Sequence, residues 1–302
     1  MKGKLYTLGI LGIIVVFAVA LSLGFVWLAL SFSGVGVTGR TGGLPLSVCD
    51  LSAVPQSVAE DTTKLATELF GDRQEKRDVF VSQLLALYSE AKDRDFIMLF
   101  NSGGWGGKLL EDAPGWQSIS SGIQSTLNNA GHTSLPLNYQ RSGRTIQGYL
   151  NEFAEMMTGY TSKAKDLASR VEFLTSHIPN LRVIITGESN ATIFCDSVMN
   201  ILRDNPQVYS IQTGPPFWYT NTILDRTLII NDNGIIPDAF SQGDFFTLIR
   251  ANLRALFGLS QLEVGQGDIL YYVKAPGHDY QWQYPKVYSE ITNFLDENFG
   301  IE

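Results

Sequence analysis

Short apolar runs alternate with stretches of helical period along most of this chain. Residues 95–100, Asp-Phe-Ile-Met-Leu-Phe, are almost continuously apolar, as expected of a strand buried on both faces of a parallel sheet. Similar short runs predict strands at about 133–139, 182–186, 208–212, 226–230 and 269–274. Residues 57–92 read as two helices broken near Gly71-Asp72, one face marked by Leu65, Leu69 and Phe70 and the next by Val79, Phe80, Leu84, Leu87 and Tyr88. Further helices are predicted near 117–130, 191–203, 244–257 and 285–298. The longest stripe runs through Leu150, Phe153, Met157, Tyr160, Ala164, Leu167, Val171, Leu174 and Ile178, in steps of three and four. Flanking positions lack the opposed charges of a coiled coil, so the stripe predicts one long helix packed on the sheet, kinked at Gly159. Strands alternating with helices imply right-handed crossovers and a three-layer α/β architecture, a mainly parallel sheet with helices on both faces.

The first part of the chain stands apart. Residues 5–32 are almost wholly apolar and uncharged, behind Lys2 and Lys4. About 20 apolar residues span a bilayer as a helix, and a cleavable signal has a shorter apolar core, so 1–32 read as an uncleaved signal anchor, one transmembrane helix. The lysines predict a cytoplasmic N-terminus and an extracytoplasmic domain. Residues 33–56 form a tether, Gly-, Ser- and Thr-rich at its start, and 57–302 form one domain large enough for a sizeable core.

Composition removes several function classes. The net charge is −8 with both signs interspersed, leaving no basic stripe for nucleic acid. No zinc-ligand spacing, P-loop or Gly-x-Gly-x-x-Gly is present, so neither metal nor cofactor is expected. Of the two cysteines, Cys195 falls in a helix expected to be buried and Cys49 near the tether; both are expected to be unpaired thiols.

The chemistry concentrates at Val183-Ile-Ile-Thr-Gly187-Glu188-Ser189-Asn190-Ala191, a β-branched run leading into Gly-x-Ser-x-Ala and then a helical segment. This is the form of a nucleophile elbow, a strained strand-to-helix turn that exposes a serine hydroxyl; Gly187 and Ala191 are small where backbones crowd. A serine needs a base to take its proton. Of the three histidines, His132 and His177 lie in predicted structural positions; His278 follows the last predicted strand in Pro276-Gly277-His278 and is the only one C-terminal to Ser189. An acid to orient the imidazole is expected after the strand at 226–230, where Asp232 stands at the strand end and Asp238 follows Pro237; Asp232 is preferred for its place at the strand end. Backbone donors for an oxyanion are expected from Asn190 and from the glycine loop Ser102-Gly103-Gly104-Trp105, with Gly104 and Trp105 both open as the second donor. Gly103 would let substrate approach, and Phe217 and Trp218 would edge the pocket; Trp105 and Trp282 add to its apolar character.

The order Ser102-Gly103-Gly104, Gly187-x-Ser189-x-Ala191, Asp232 and Gly277-His278 resembles the α/β-hydrolase superfamily over roughly residues 93–300. The chain order Ser, acid, His of that superfamily implies His278 as the base. The usual spacing of the family places an acid four residues before the proline, and that position is Asn233. Only about a dozen residues separate the strands after the elbow, so the resemblance is to lid-free esterases, with 57–92 available to cover the site.

The expected function is a membrane-anchored serine hydrolase cleaving a small-molecule or lipid-like acyl substrate, a carboxylic ester first of all, through an acyl-enzyme. An acyltransferase or peptidase on the same triad, and a catalytically inactive binding module tethered to the membrane, are the alternatives.

Overall fold

The computed structural model describes residues 54–143, 145–220, 224–259, 265–269 and 273–301. The expected anchor at 1–32 and all but the end of the tether lie outside these residues; among the described residues no helix is long and apolar enough to cross a membrane.

The main sheet has five strands: β1 (Phe96–Asn101), β2 (Ser134–Asn138), β3 (Arg182–Glu188), β4 (Val208–Thr213) and β5 (Thr227–Ile230). They lie in the order β2-β1-β3-β4-β5, every neighbouring pair parallel. Alternate side chains of the central strands feed two cores. Ile97, Leu99, Val183 and Ile185 face α1 (Gln56–Phe70), α2 (Gln74–Ala91), α5 (Thr161–His177) and α6 (Ala191–Ile201). Phe96, Met98, Phe100 and Ile184 face α3 (Pro114–Asn129) and α8 (Pro285–Phe299), which supply Trp116, Ile119, Ile123, Val287, Ile291 and Leu295. The three-layer α/β expectation thus holds, and Cys195 is a buried free thiol on α6.

Two elements differ from the sequence reading. The long helix is two, α4 (Ile146–Met157) and α5, because Gly159 and Tyr160 both take left-handed φ values, 70° and 57°, and end the hydrogen-bonded ladder. The stripe divides with it. Tyr160, Ala164, Leu167, Val171 and Leu174 are core, whereas Leu150, Phe153 and Met157 of α4 are exposed, Met157 at 70%. The strand expected at 269–274 is instead a separate antiparallel hairpin, β6 (Gln266–Ile269) with β7 (Val273–Pro276), reached from α7 (Phe245–Leu256). Residues 57–92 do not cover the serine. They pack on the α5 layer, where Asp61 pairs with His177 at the end of the sheet opposite Ser189.

The strand order places a site. From β1 the chain steps outward to β2, then returns to β3 on the other side of β1. The loops after β1 and β3 therefore diverge, leaving a crevice at the carboxyl ends of these strands, the switch point where open α/β sheets bind ligands.

Candidate active site

Ser189 sits at that switch point, directly after β3 and before α6. Its φ of 54° makes it one of two described non-glycine residues in the left-handed region, a conformation costing about 1–3 kcal/mol that surrounding structure must hold. Its amide donates to the Thr213 carbonyl (2.9 Å), and its carbonyl accepts from Thr192 N–H (3.0 Å), opening the helix. A Cβ on Gly187 would lie 2.6 Å from Cys195 Sγ, which accounts for the small residue two before the serine.

The glycine loop after β1 lies against the serine: a Cβ on Gly103 would be 3.0 Å from Ser189 Cβ. Asn190 Nδ2 donates to the Gly104 carbonyl (2.7 Å), and Gly103 N–H donates to Glu188 Oε1 (3.2 Å). The residues on either side of the serine thus hold the loop with their side chains. The amides of Asn190, Gly104 and Trp105 donate to nothing among the described residues. A trans peptide sets C=O and N–H on opposite sides, so the carbonyl that Asn190 holds turns Trp105 N–H away from the Asn190 side chain. Beneath the loop, Ser142 Oγ donates to the Trp105 carbonyl and Arg141 N–H to the Gly106 carbonyl. The fully buried Arg141 guanidinium pairs with Glu152 (2.8 Å), which also takes Lys163 (2.6 Å).

His278 reaches the same rim from the far end of the chain. Its Nδ1 lies 2.8 Å from Asp238 Oδ2, and Nε2 makes no hydrogen bond among the described residues. The ring lies over Gly214, the residue following Thr213, on which Ser189 N–H bonds. Ser189 Oγ and His278 Nε2 make no hydrogen bond to each other; such contacts commonly tighten only when substrate is bound.

The acid beside the imidazole corrects the preference for Asp232. Asp238 is fully buried and also accepts from Tyr280 hydroxyl (2.7 Å), Ser241 hydroxyl (2.8 Å) and the amides of Phe240 (2.9 Å) and Ser241 (3.0 Å). Burial pushes its pKa up, but the hydrogen bond and charge of His278, with Ser241 and Tyr280, outweigh burial and hold it below the usual carboxylate range. Asp232 instead accepts from Gly234 N–H (2.7 Å) and pairs with Lys286 (3.4 Å) at the surface.

Asn233, four residues before Pro237, ties the two loops of the site together. Its Nδ2 donates to the Gly277 (3.0 Å) and Asp279 (2.9 Å) carbonyls, on both sides of His278. Its Oδ1 accepts from Ile235 (2.8 Å) and Ile236 (2.9 Å) amides. A carboxylate has no N–H for those carbonyls, so an amide fits this position.

Of the pocket aromatics, Phe217 and Trp218 are exposed and form an edge-to-face cluster with Phe240 and Phe245; Phe240 meets the His278 ring at 5.0 Å. The Trp105 ring packs against Tyr149 of α4 at a tilt of 35° (centroids 5.3 Å apart). Trp282 is not at the site; its ring covers Gly122 of α3 and meets Tyr288 of α8. Gly214 and Tyr280 carried no signal as site residues in the sequence; Glu188 had only its place beside the serine, and Asn233 its place four residues before Pro237. Among the described residues no cluster of His, Cys, Asp and Glu could hold a metal.

No family model and no curated protein matches the chain. Among solved structures it is similar to Trichoderma reesei cutinase in complex with a C11Y4 phosphonate inhibitor, at 14% identity over 81% of this chain and 94% of that one, with a TM-score of 0.39. It is also similar to DphMB1, at 13% identity over 51% of this chain and 47% of that one, with a TM-score of 0.28.

Proposed function

We propose that the chain is a serine hydrolase that cleaves a carboxylic ester through an acyl-enzyme. The observation that carries this reading is the buried Asp238–His278 hydrogen bond, standing over the backbone that also holds Ser189. Asp238 fixes the tautomer with a proton on Nδ1 and stabilises the imidazolium. Nε2 then takes the Ser189 proton as Oγ attacks the acyl carbon, and returns it to the leaving alcohol. Water, deprotonated by the same nitrogen, resolves the acyl-enzyme.

The oxyanion is met by the Asn190 amide, at the positive end of α6, and by the Gly104 amide. Gly104 is taken as the second donor because the Gly104 carbonyl, held by Asn190, turns the Trp105 N–H away from the Asn190 side chain. Apolar groups on both sides of the site favour an acyl or aromatic group of low polarity: Phe240, with Phe217, Trp218 and Phe245 behind it, beside the imidazole, and Met156 of α4, whose Sδ lies 3.6 Å from Asn190 Nδ2, beside the elbow. The uncharged apolar run at 5–32, behind Lys2 and Lys4, supports a single-pass membrane anchor with the catalytic domain outside.

A fluorophosphonate probe tests the reading. Wild type should label and Ser189→Ala should not. A folded chain that never labels rejects hydrolysis and favours an inactive fold used for binding. A series of model esters of rising acyl length should then show the highest kcat/KM for the apolar members.

A further inference from the structure

The most exposed apolar surface described lies on α7, between the acid and the base in sequence. Leu248 and Asn252 turn inward, Asn252 bonding the Lys274 backbone on both sides (N–H to Oδ1 2.9 Å, Nδ2 to carbonyl 2.9 Å), so one face of α7 is fixed to β7. The opposite face presents Phe246 (77% exposed), Leu253, Leu256 (77%) and Phe257 (72%) to the outside. These residues line or border a groove of about 340 Å³ that also includes Ile249, Arg250 and Arg254.

Three features say what covers this face. Among the described residues its charged side chains are Arg250 and Arg254, both exposed, in a chain whose net charge is −8. A helix with a broad Phe/Leu face flanked by arginines has the composition of one lying in a membrane interface, where the arginine stems bury and the guanidinium groups meet anionic headgroups. The apolar segment 5–32 is joined to Val54 by 21 residues, which reach at most roughly 70 Å. Finally, the face is continuous with the site through Phe245, Phe217, Phe240 and His278, whose rings meet in sequence.

We infer that α7 docks flat on the lipid surface of an anionic bilayer, so that the catalytic rim opens onto the membrane rather than toward bulk water. The inference rests on the proposed membrane anchoring for its local concentration, and on the proposed catalysis for its consequence. Phe246, Leu253, Leu256 and Phe257 would enter the acyl boundary, with Arg250 and Arg254 at headgroup level.

The test uses the full chain with Cys49→Ser, mixed with vesicles of phosphatidylcholine alone or with phosphatidylglycerol. A fluorophore is placed at Phe257→Cys, or at Lys64→Cys on α1 as a control, and quenched with doxyl-labelled lipids. Strong quenching at position 257, none at 64, and deeper quenching with phosphatidylglycerol are expected. Arg250→Glu with Arg254→Glu should weaken the docked population by roughly an order of magnitude, with the near-ultraviolet circular dichroism unchanged. A vesicle-bound chain unquenched at 257 overturns the inference and leaves the anchor standing. A chain that does not pellet with vesicles rejects the anchor; the probe then reports α7 alone at raised lipid, and absence of quenching there also overturns the inference. A concentration-dependent dimer that protects position 257 from iodide without lipid assigns the face to a second copy and likewise overturns it.

Discussion

The imidazole of His278 rests on Gly214: a Cβ at that position would lie 2.7 Å from Cε1 and 3.0 Å from Nδ1. Gly214 also has a φ of 62° and follows Thr213, the strand end that holds the Ser189 amide. One residue without a side chain therefore sets the height of the His278 ring above the backbone that holds Ser189. Gly214→Ala should push the ring from its place and strain the backbone. An expected displacement of about 1 Å costs about 10²-fold in kcat/KM. Steady-state kinetics beside a thermal melt checks this; equal activity in a folded variant would remove Gly214 from the account.

The two aspartates should separate cleanly. Asp238→Asn presents an amide N–H where the imidazole needs an acceptor, and the wrong tautomer costs about 10⁴-fold in kcat. Asp232→Asn loses a surface ion pair with Lys286, worth at most about 1 kcal/mol, and should leave turnover within a few-fold of wild type. Because Asp238 also accepts from Tyr280, Tyr280→Phe provides a milder variant: folded, with an intermediate loss of kcat. Parallel measurement of kcat for the three variants decides the assignment.

Asn233 is expected to be a stability residue as well as a site residue. Asn233→Ala removes the bonds to the Gly277 and Asp279 carbonyls and strands the Ile235 and Ile236 amides. Buried groups left unpaired cost about 1–3 kcal/mol each, so urea unfolding should show a loss of about 3 kcal/mol or more. The fluorophosphonate labelling rate should fall with it, because both carbonyls flank His278.

The Arg141–Glu152–Lys163 cluster should govern acid sensitivity. Burial raises the Glu152 pKa, but Arg141 and Lys163 outweigh burial and hold it below its ordinary 4.5. A carboxyl whose folded pKa is depressed stabilises the fold fully above its unfolded pKa and loses that contribution as pH falls through the folded value. Stability should therefore drop below about pH 4.5. Glu152→Gln should cost about 3–5 kcal/mol at neutral pH, by stranding a buried cation, and should show a flatter acid limb. Thermal melts from pH 7 down to about pH 3 measure both.

The elbow was legible because strand, turn and helix are local events and the requirement for small residues is written within five positions. The same holds for β1, whose six residues are all buried, and for His278, placed by a Gly-His step after an extended run. The long helical stripe made a kink at Gly159 legible, but not a full break. Its period continues through Gly159, and only the paired left-handed residues Gly159 and Tyr160 end the helix, which exposes Leu150, Phe153 and Met157. The hairpin of β6 and β7 was hidden for a related reason: apolar runs predict extended backbone but not which edge it joins.

By itself the sequence determined the two-sided burial of a parallel sheet, the strained serine turn and the candidate base, since periodicity and local sterics act within a few residues. Only the tertiary structure decided that Asp238 and not Asp232 meets the imidazole, that Asn233 stitches the acid loop to the histidine loop, and that Gly214 seats the ring. Those choices depend on hydrogen bonds and close approaches between segments 40 to 64 residues apart, and no local pattern encodes which donor will face which acceptor once the layers have packed.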